Sequence, residues 1–397
     1  MEKQIETAFV DNGMDMTVLT PYPTRGCTKT VREAYKGIEL LHDHHVKINR
    51  FPLMPEPKNT ILRAIRYILG NFIQYHYAIK EKNCDVIFAG TTPPTQIILA
   101  KRVANKLCKP YVLRVQDIFP DSLVTAGLVK KGSLIYKLGD RMVMRSYREA
   151  SQIMVVGDEM RNTLEEKGVD KSKIRVVRNW IDLSDVKHIN RADNRLMTEL
   201  GLSKNAFYVV YAGNLGKVQN VSTLVKAAAL LQDIDNIQFV VFGNGVESER
   251  VVALAQELKL TNIVFYPLQD KTRVSEVYSI ADISVIMCQK GAGGSAVPSK
   301  TWSILATETP VIAAFDKDSE LSELIRTERC GICVEPENEV MLAEAIREAY
   351  MKPDLLKDSG KRGRDYINKH ISSEVCIKEY IEIVKYSAKL NYVTESG

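Results

Sequence analysis

Gly291–Ala314 reads GAGGSAVPSKTWSILATETPVIAA. A glycine-rich loop runs into Pro298, Ser299 and Lys300, which open a short helix. The helix gives way to the apolar strand Val311–Ala314. Loop, helix and buried strand in this order form the repeating unit of α/β folds. A loop that feeds a helix start is also an anion site, because free backbone N–H groups and the helix dipole favour phosphate. Ser299 suits the N-cap and Pro298 stiffens the entry. Lys300 adds a full positive charge. The expected ligand is phosphorylated.

Working outward, the same alternation runs from end to end. Strands are expected at 16–19, 46–50, 86–89, 111–115, 152–156 and 174–177 in the first half. In the second half they are expected at 208–212, 238–242, 262–266, 283–287, 311–314 and 331–334. Short buried strands separated by helices imply parallel sheets covered on both faces. The fold class is therefore α/β: two doubly wound, Rossmann-like domains facing across a cleft, where ligands bind at the carboxyl ends of strands. The expected divisions are an acceptor-side domain at 1–178, a polar linker at 179–204, a donor domain at 205–370 and a C-terminal helix at 371–397 that packs back on the first domain. The chain opens with a helix, Glu2–Val10, and a turn at Asn12-Gly13, where such a domain normally opens with a strand and a glycine turn. The first sheet is thus expected to be one strand short, or the natural N-terminus to be missing.

A chain of 397 residues, 45% hydrophobic and 26% charged, fits a globular protein of two domains. No apolar run is long enough to span a bilayer, and no secretory signal is read at its start. The seven scattered cysteines suggest a reducing compartment. Cys330 and Cys333 have redox-motif spacing but read as ordinary buried thiols. His42, His44 and His45 read as a solvated turn before a strand rather than a metal site. Residues 1–178 hold 29 Lys and Arg against 19 Asp and Glu, and the remainder 25 against 30. Most of the excess lies in residues 51–150, with 16 basic and 7 acidic side chains. Such asymmetry points to different partners for the two halves.

Two more loops join the first. Strand 208–212 runs into Gly213-Asn214-Leu215-Gly216-Lys217 and Gln219, where two glycines let a phosphate approach and Lys217 supplies charge. A plain strand-to-helix turn is the alternative. Gly243-Asn244-Gly245 follows the next strand, but lacks the third glycine of a dinucleotide fingerprint, which disfavours a nicotinamide cofactor. Three such turns on one sheet would face one cleft.

On these segments the chain resembles the family 4 glycosyltransferases, which have the GT-B fold. The second half is similar to their donor domain through YAGNLGKVQNVSTLVKAA, VVFGNG, ADISVIM, PSKTWSILATETPVIAA and CGICVEP. The first half resembles their acceptor domain through DVIFAGTTPP, PYVLRVQDIFPDS and VVRNWID. The nearest branch includes bacterial fucosamine and related amino-sugar transferases of surface-polysaccharide assembly. The resemblance implies retaining transfer from a nucleotide-diphosphate sugar, with no cofactor and no obligatory metal. Two family glutamates fall on Ser295 and Ser303, and an Arg and a Lys of the earlier loop on Asn214 and Gln219. A family histidine falls on Gln116. Lys300 is then expected to take over diphosphate neutralisation, helped by Lys217 and the helix dipole. Gly213, Asn214, Gly216, Lys217, Gln219, Ser299 and Lys300 are the expected diphosphate site. Gly243, Asn244, Gly245, Gly293, Gly294, Ser295 and Ser303 are expected around the nucleoside and sugar.

Charge builds on the leaving diphosphate and an oxocarbenium-like centre on the sugar, so little is asked of side-chain nucleophiles. Asp117 and Lys300 are the catalytic candidates; for Asp117, capping of the next turn is the alternative. Thr91, Thr92, Arg114 and Gln116 are acceptor-side candidates, with turn-forming or ion-pair roles as alternatives. Residues 59–82 form an amphipathic helix pattern with Ile61, Leu62, Ile65, Ile68, Leu69, Phe72 and Ile73 apolar and Arg63 and Arg66 near its start. In 130–149, Lys137, Arg141, Arg145 and Arg148 make one basic stripe. Such stripes attract anionic lipid, so a cytoplasmic, membrane-peripheral enzyme acting on a lipid-linked glycan is expected, with no nucleic-acid partner. A sugar-nucleotide 2-epimerase and an inactive pseudo-transferase scaffold are the rival readings.

Overall fold

The computed structural model describes residues 2–23, 33, 35, 38–55, 57, 59–125, 129–293 and 297–390. The chain divides into two compact units, Met1–Arg178 with Ile377–Gly397, and Asn179–Cys376.

The first unit holds a three-stranded and a four-stranded sheet. In the smaller sheet β1 (Met16–Pro21) pairs parallel with β3 (Val46–Phe51), and β2 (Ile38–Leu41) pairs antiparallel with β3. The antiparallel β2 was not anticipated. Its four residues, IELL, give too short a pattern to read. The hairpin turn consists of His42, Asp43 and His44, all at positive φ. His42 reaches Glu6 at 3.4 Å and His45 bonds Asp15 at 2.7 Å, so these two histidines serve separate carboxylates. The larger sheet, β4 (Ile87–Gly90), β5 (Tyr111–Val115), β6 (Gln152–Val155) and β7 (Ile174–Val176), is parallel throughout and in chain order. Its apolar runs are buried on both faces, as the central β5, wholly buried, shows.

The second unit carries six strands: β8 (Phe207–Asn214), β9 (Ile237–Asn244), β10 (Ile263–Tyr266), β11 (Ile283–Met287), β12 (Val311–Ala314) and β13 (Gly331–Val334). All pairings are parallel, in the order β10-β9-β8-β11-β12-β13. Strand order reverses between β8 and β11, and loops leaving the carboxyl ends there form the natural ligand crevice of such a sheet. Two apolar cores, one on each face, hold the unit together.

Residues 179–204 are not a free connector, contrary to the sequence reading. Ile181, Val186, Leu196 and Met197 are buried in the second unit's core. Arg191 forms a short ion pair with Asp282 and donates to the Ala206 carbonyl at 2.8 Å. A charge that suggested a linker is thus spent on residues of the second unit outside the segment. The last helix, Ser373–Ala388, places a buried Tyr380 beside Phe88 in the first unit. Among the described residues no helix is long and apolar enough to cross a membrane.

Candidate active site

The three loops read from sequence leave the same edge of the second unit's sheet. β8 and β9 run in register to their ends, with Gly213 opposite Gly243 and Asn214 opposite Asn244. Leu215 N–H donates to the Asn244 carbonyl at 2.9 Å, and Glu247 N–H to the Leu215 carbonyl at 2.9 Å. Glycine is needed where the loops touch: a Cβ on Gly243 would lie 2.5 Å from the Gly213 carbonyl oxygen, and one on Gly245 would collide with the Leu215 carbonyl. The third loop joins through Gln289, whose N–H donates to the Val218 carbonyl at 2.7 Å.

Lys300 stands at the centre. Its Nζ lies 4.2 Å from the centroid of the Tyr211 ring, a cation–π contact. A Cβ on Gly213, at φ +145°, would sit 2.6 Å from that Nζ. Among the described residues no carboxylate pairs with this ammonium. Burial alone pulls its pKa down to about 8. Tyr211 is fixed in turn by donating its hydroxyl to the Asn214 carbonyl at 2.7 Å. Lys300 and Gly213 open on a cavity of about 250 Å³ lined also by Phe242, Leu268, Gln269, Asp270 and Tyr278. The sequence reading missed Tyr211 and all five of these residues as site members. Leu268–Asp270 follow β10, the next strand out, and their place on the same edge was the available signal.

The helix Lys300–Ala306 is clamped at its far end, where Arg364 donates to the Ala306 carbonyl and His188 bonds the Thr307 carbonyl at 3.0 Å. Trp302 stacks on Tyr366. The N-cap assignment to Ser299 is overturned. Its backbone is already helical (φ −57°, ψ −27°) and its side chain caps nothing. Thr301 N–H donates instead to the Pro298 carbonyl at 2.9 Å, so the turn starts earlier than the serine. The glycine loop is likewise not a row of free donors: Asp316 accepts from Gly291 N–H at 2.9 Å and from Gly293 N–H at 3.0 Å. Gly294 and Ser295 lie outside the described residues. Ser303 is half-buried on the helix. Asn214 and Gln219, where the family has a guanidinium and an ammonium, bond each other at 3.2 Å through Nδ2 and Oε1. Gly216 leaves room for that contact, and Lys217 is exposed.

In the first unit, Thr91 and Gln116 are tied together at the carboxyl ends of β4 and β5. Thr91 is buried, and its hydroxyl accepts from Gln116 N–H at 3.1 Å. Thr92 is exposed. Arg114 is buried with its guanidinium 5.9 Å from the Tyr380 ring centroid. Asp117 is exposed at the surface, caps no helix, and has its carboxyl pKa raised by partial burial. Cys330 is fully buried, which pushes its thiol up to about 12, and Cys333 donates to the Ser322 carbonyl. Neither is a reactive thiolate.

A fold of two Rossmann-like units, with glycine loops and an enclosed ammonium at the switch point of one sheet, has the crevice in which such folds receive phosphorylated ligands. Residues 4–185 match the model described as Glycosyltransferase Family 4, and residues 193–366 the model described as Glycosyl transferases group 1. The chain is a glycosyltransferase with these two domains. It is 26% identical over 338 residues to a Pseudomonas aeruginosa protein named as a glycosyltransferase, WbjE, covering 83% of this chain and 81% of that one. It is 26% identical over 278 residues to a protein named as a colanic acid biosynthesis glycosyl transferase, WcaI, of Escherichia coli strain K12, covering 69% and 67%. The crystal structure of Anabaena Alr3699/HepE in complex with UDP superposes with a TM-score of 0.71 at 13% identity, over 94% of this chain and 100% of that one. That likeness shows the fold, which is GT-B.

Proposed function

We propose that this glycosyltransferase moves an amino sugar from a UDP-linked donor onto a lipid-linked glycan in bacterial surface-polysaccharide assembly, with retention at the anomeric carbon. The observation that carries the donor reading is Lys300 Nζ, unpartnered by any carboxylate among the described residues, beside Gly213 and the cavity of about 250 Å³. The cavity walls, Phe242, Leu268 and Tyr278, suit a nucleobase and ribose. The diphosphate then lies toward Lys300 and the Gly213–Lys217 loop. The UDP complex of Anabaena HepE and the polysaccharide name of WcaI support this reading. The enzyme works, in this reading, on the inner face of the plasma membrane.

The chemistry follows from charge. The acceptor hydroxyl oxygen bonds the anomeric carbon as the bond from that carbon to the phosphate oxygen breaks. The hydroxyl proton passes to the leaving phosphate, giving a glycoside and UDP. Lys300 stabilises the negative charge that grows on the diphosphate. Asp117 is the first unit's candidate for contact with the acceptor. In this reading the transfer needs neither a cofactor nor an obligatory metal.

Calorimetry with UDP tests the site. The wild type should bind, and Lys300→Ala should lose binding together with turnover by ~10²–10³. Undiminished UDP affinity in the variant overturns the role of Lys300. Incubation with a UDP-N-acetyl sugar and no acceptor separates the epimerase alternative, which would yield an epimerised sugar nucleotide.

A further inference from the structure

Two helices of the first unit turn apolar stripes outward. Helix Thr60–Ala78 exposes Leu62, Ile65, Ile68 and Phe72, the last at 65%, while Arg66 is the side chain turned inward, donating to the Met54 carbonyl. Helix Leu134–Glu149 exposes Leu134 at 83%, Ile135 at 71%, Leu138 at 60% and Met142 at 54%. Both helices pack on the one between them, Thr95–Leu107.

The second helix has three faces. Tyr136, Val143, Met144 and Tyr147 are buried. Leu134, Leu138 and Met142 recur every four residues and so form one outward stripe. Lys137 and Arg141 lie along its edge, with Lys130 and Lys131 just before the helix, all exposed. Of the basic stripe expected from sequence, Arg145 is bound to Glu149 at 2.7 Å and Arg148 donates to the Lys167 carbonyl at 2.9 Å, so those two are spent within the fold. The helix's two carboxylates are also spent: Asp140 is 2.6 Å from Lys167 Nζ, and Glu149 is 2.9 Å from Lys101 Nζ. Among the described residues of the helix, the outer face therefore presents apolar side chains and positive charge with no free carboxylate. Lys167 further bonds Asp121 and the Tyr136 hydroxyl, each at 2.9 Å, which braces the helix against the unit.

We propose that the outer face of helix Leu134–Glu149 is a membrane-inserting surface, its apolar stripe entering the acyl boundary of an anionic bilayer while Lys130, Lys131, Lys137 and Arg141 meet the headgroups. This rests on the reading of a membrane-presented acceptor and adds the element and the mode: insertion, not charge attraction alone. Apolar stripe and flanking cations with no carboxylate are the complement of an anionic lipid surface, whereas an acidic protein or nucleic acid would ask only for the charges.

The test uses the full chain and phosphatidylcholine vesicles containing phosphatidylglycerol, with and without high salt. Leu134→Ser with Ile135→Ser should lower vesicle partition on the order of 30-fold at both salt concentrations. Lys137→Gln with Arg141→Gln should lower it by a similar factor at low salt only, at about 1 kcal/mol per charge. Emission from Leu138→Trp should shift to the blue and be quenched by brominated lipid. Vesicle binding unchanged in the Leu134/Ile135 variant, or Leu138→Trp emission unchanged at saturating vesicle, overturns the proposal. So does a concentration-dependent dimer that the same variant dissolves, which would make a second copy the occupant. UDP affinity, measured on the same samples, separates the outcomes: retained UDP binding with no insertion overturns this proposal alone, and lost UDP binding in the wild type overturns the functional reading instead.

Discussion

Replacing Lys300 by methionine should make the protein more stable and nearly unable to hold its donor. Among the described residues the enclosed ammonium has no paired counter-ion, and its pKa falls from the ordinary 10.5 to about 8. At about 1.4 kcal/mol per pH unit, this drop corresponds to about 3 kcal/mol of strain when the charge is carried at neutral pH. The Tyr211 ring, 4.2 Å away, returns part of it, about 1 kcal/mol. The net gain from Lys300→Met, which keeps chain length and contacts, is therefore about 2 kcal/mol at pH 7, or several degrees in melting temperature. The sign with pH is set by proton counting. Between pH 8 and 10.5 the native chain binds fewer protons than the unfolded one, so wild-type stability rises across that window. The advantage of the variant should accordingly shrink as pH rises toward 10. Thermal unfolding followed at several pH values, alongside UDP calorimetry at pH 7, reads both effects. A variant that melts lower than the wild type at pH 7, or whose advantage does not change with pH, refutes the reasoning. Retained UDP affinity would show that the strain is unrelated to the donor.

Other perturbations probe the supports of the site. Gly213→Ala should cost about 1–3 kcal/mol in thermal unfolding, because φ is +145° and the new Cβ would press on Lys300 Nζ. Asp316→Asn keeps the side chain's size but removes an acceptor from the Gly291–Gly293 loop; donor KM should rise roughly tenfold with kcat little changed, as read by initial rates at varied donor. Lys167→Met should destabilise by about 2–3 kcal/mol in denaturant titration, leaving Asp121 and Asp140 without their cation. Burial pulls the Lys167 pKa down, but its bonds to Asp140, Tyr136 and Asp121 more than reverse this and hold it above the ordinary 10.5. Its contribution is thus complete below pH 10.5 and lost only above, so the gap between wild type and variant should stay constant from pH 6 to 9.

The strands were legible because each is a short apolar run bounded by turn residues, and twelve of them fall within a residue or two of the observed bounds in the chain. What escaped was set by pairing rather than by local pattern. The strand Ile38–Leu41 has four residues and gains its identity only by lying against Val46–Phe51. Segment 179–204 looked like a connector because its charges were counted singly, whereas Arg191 and Asp282, ninety-one positions apart, cancel in space. The site divides in the same way. Glycines mark where the backbone bends or another backbone approaches, and Gly213, Gly243 and Gly245 could be read for that reason. Asp316 could not, since nothing local in the sequence shows that its carboxylate fills the donors of a loop twenty-three residues earlier. Met287 pairs with Ala314 at the ends of β11 and β12, so the loops that follow are neighbours. Only the strand order discloses this.

These corrections change how the site is built. A helix start with free N–H groups would bind an anion by geometry alone, at little cost to stability. Here the turn closes on Pro298, and Asp316 already takes the N–H groups of Gly291 and Gly293. Asn214 and Gln219 satisfy each other. Among the described residues, the backbone and amide groups around the proposed diphosphate position are thus largely occupied with shaping the loops. The attraction for negative charge falls on Lys300, held close by a glycine that offers no side chain and an aromatic face that tolerates a cation. An ammonium so placed gains little from the empty site and most when charge arrives beside it, which is the condition for favouring the leaving diphosphate over the intact donor. The strain measured by Lys300→Met and the turnover lost in Lys300→Ala should therefore be two readings of the same uncompensated charge.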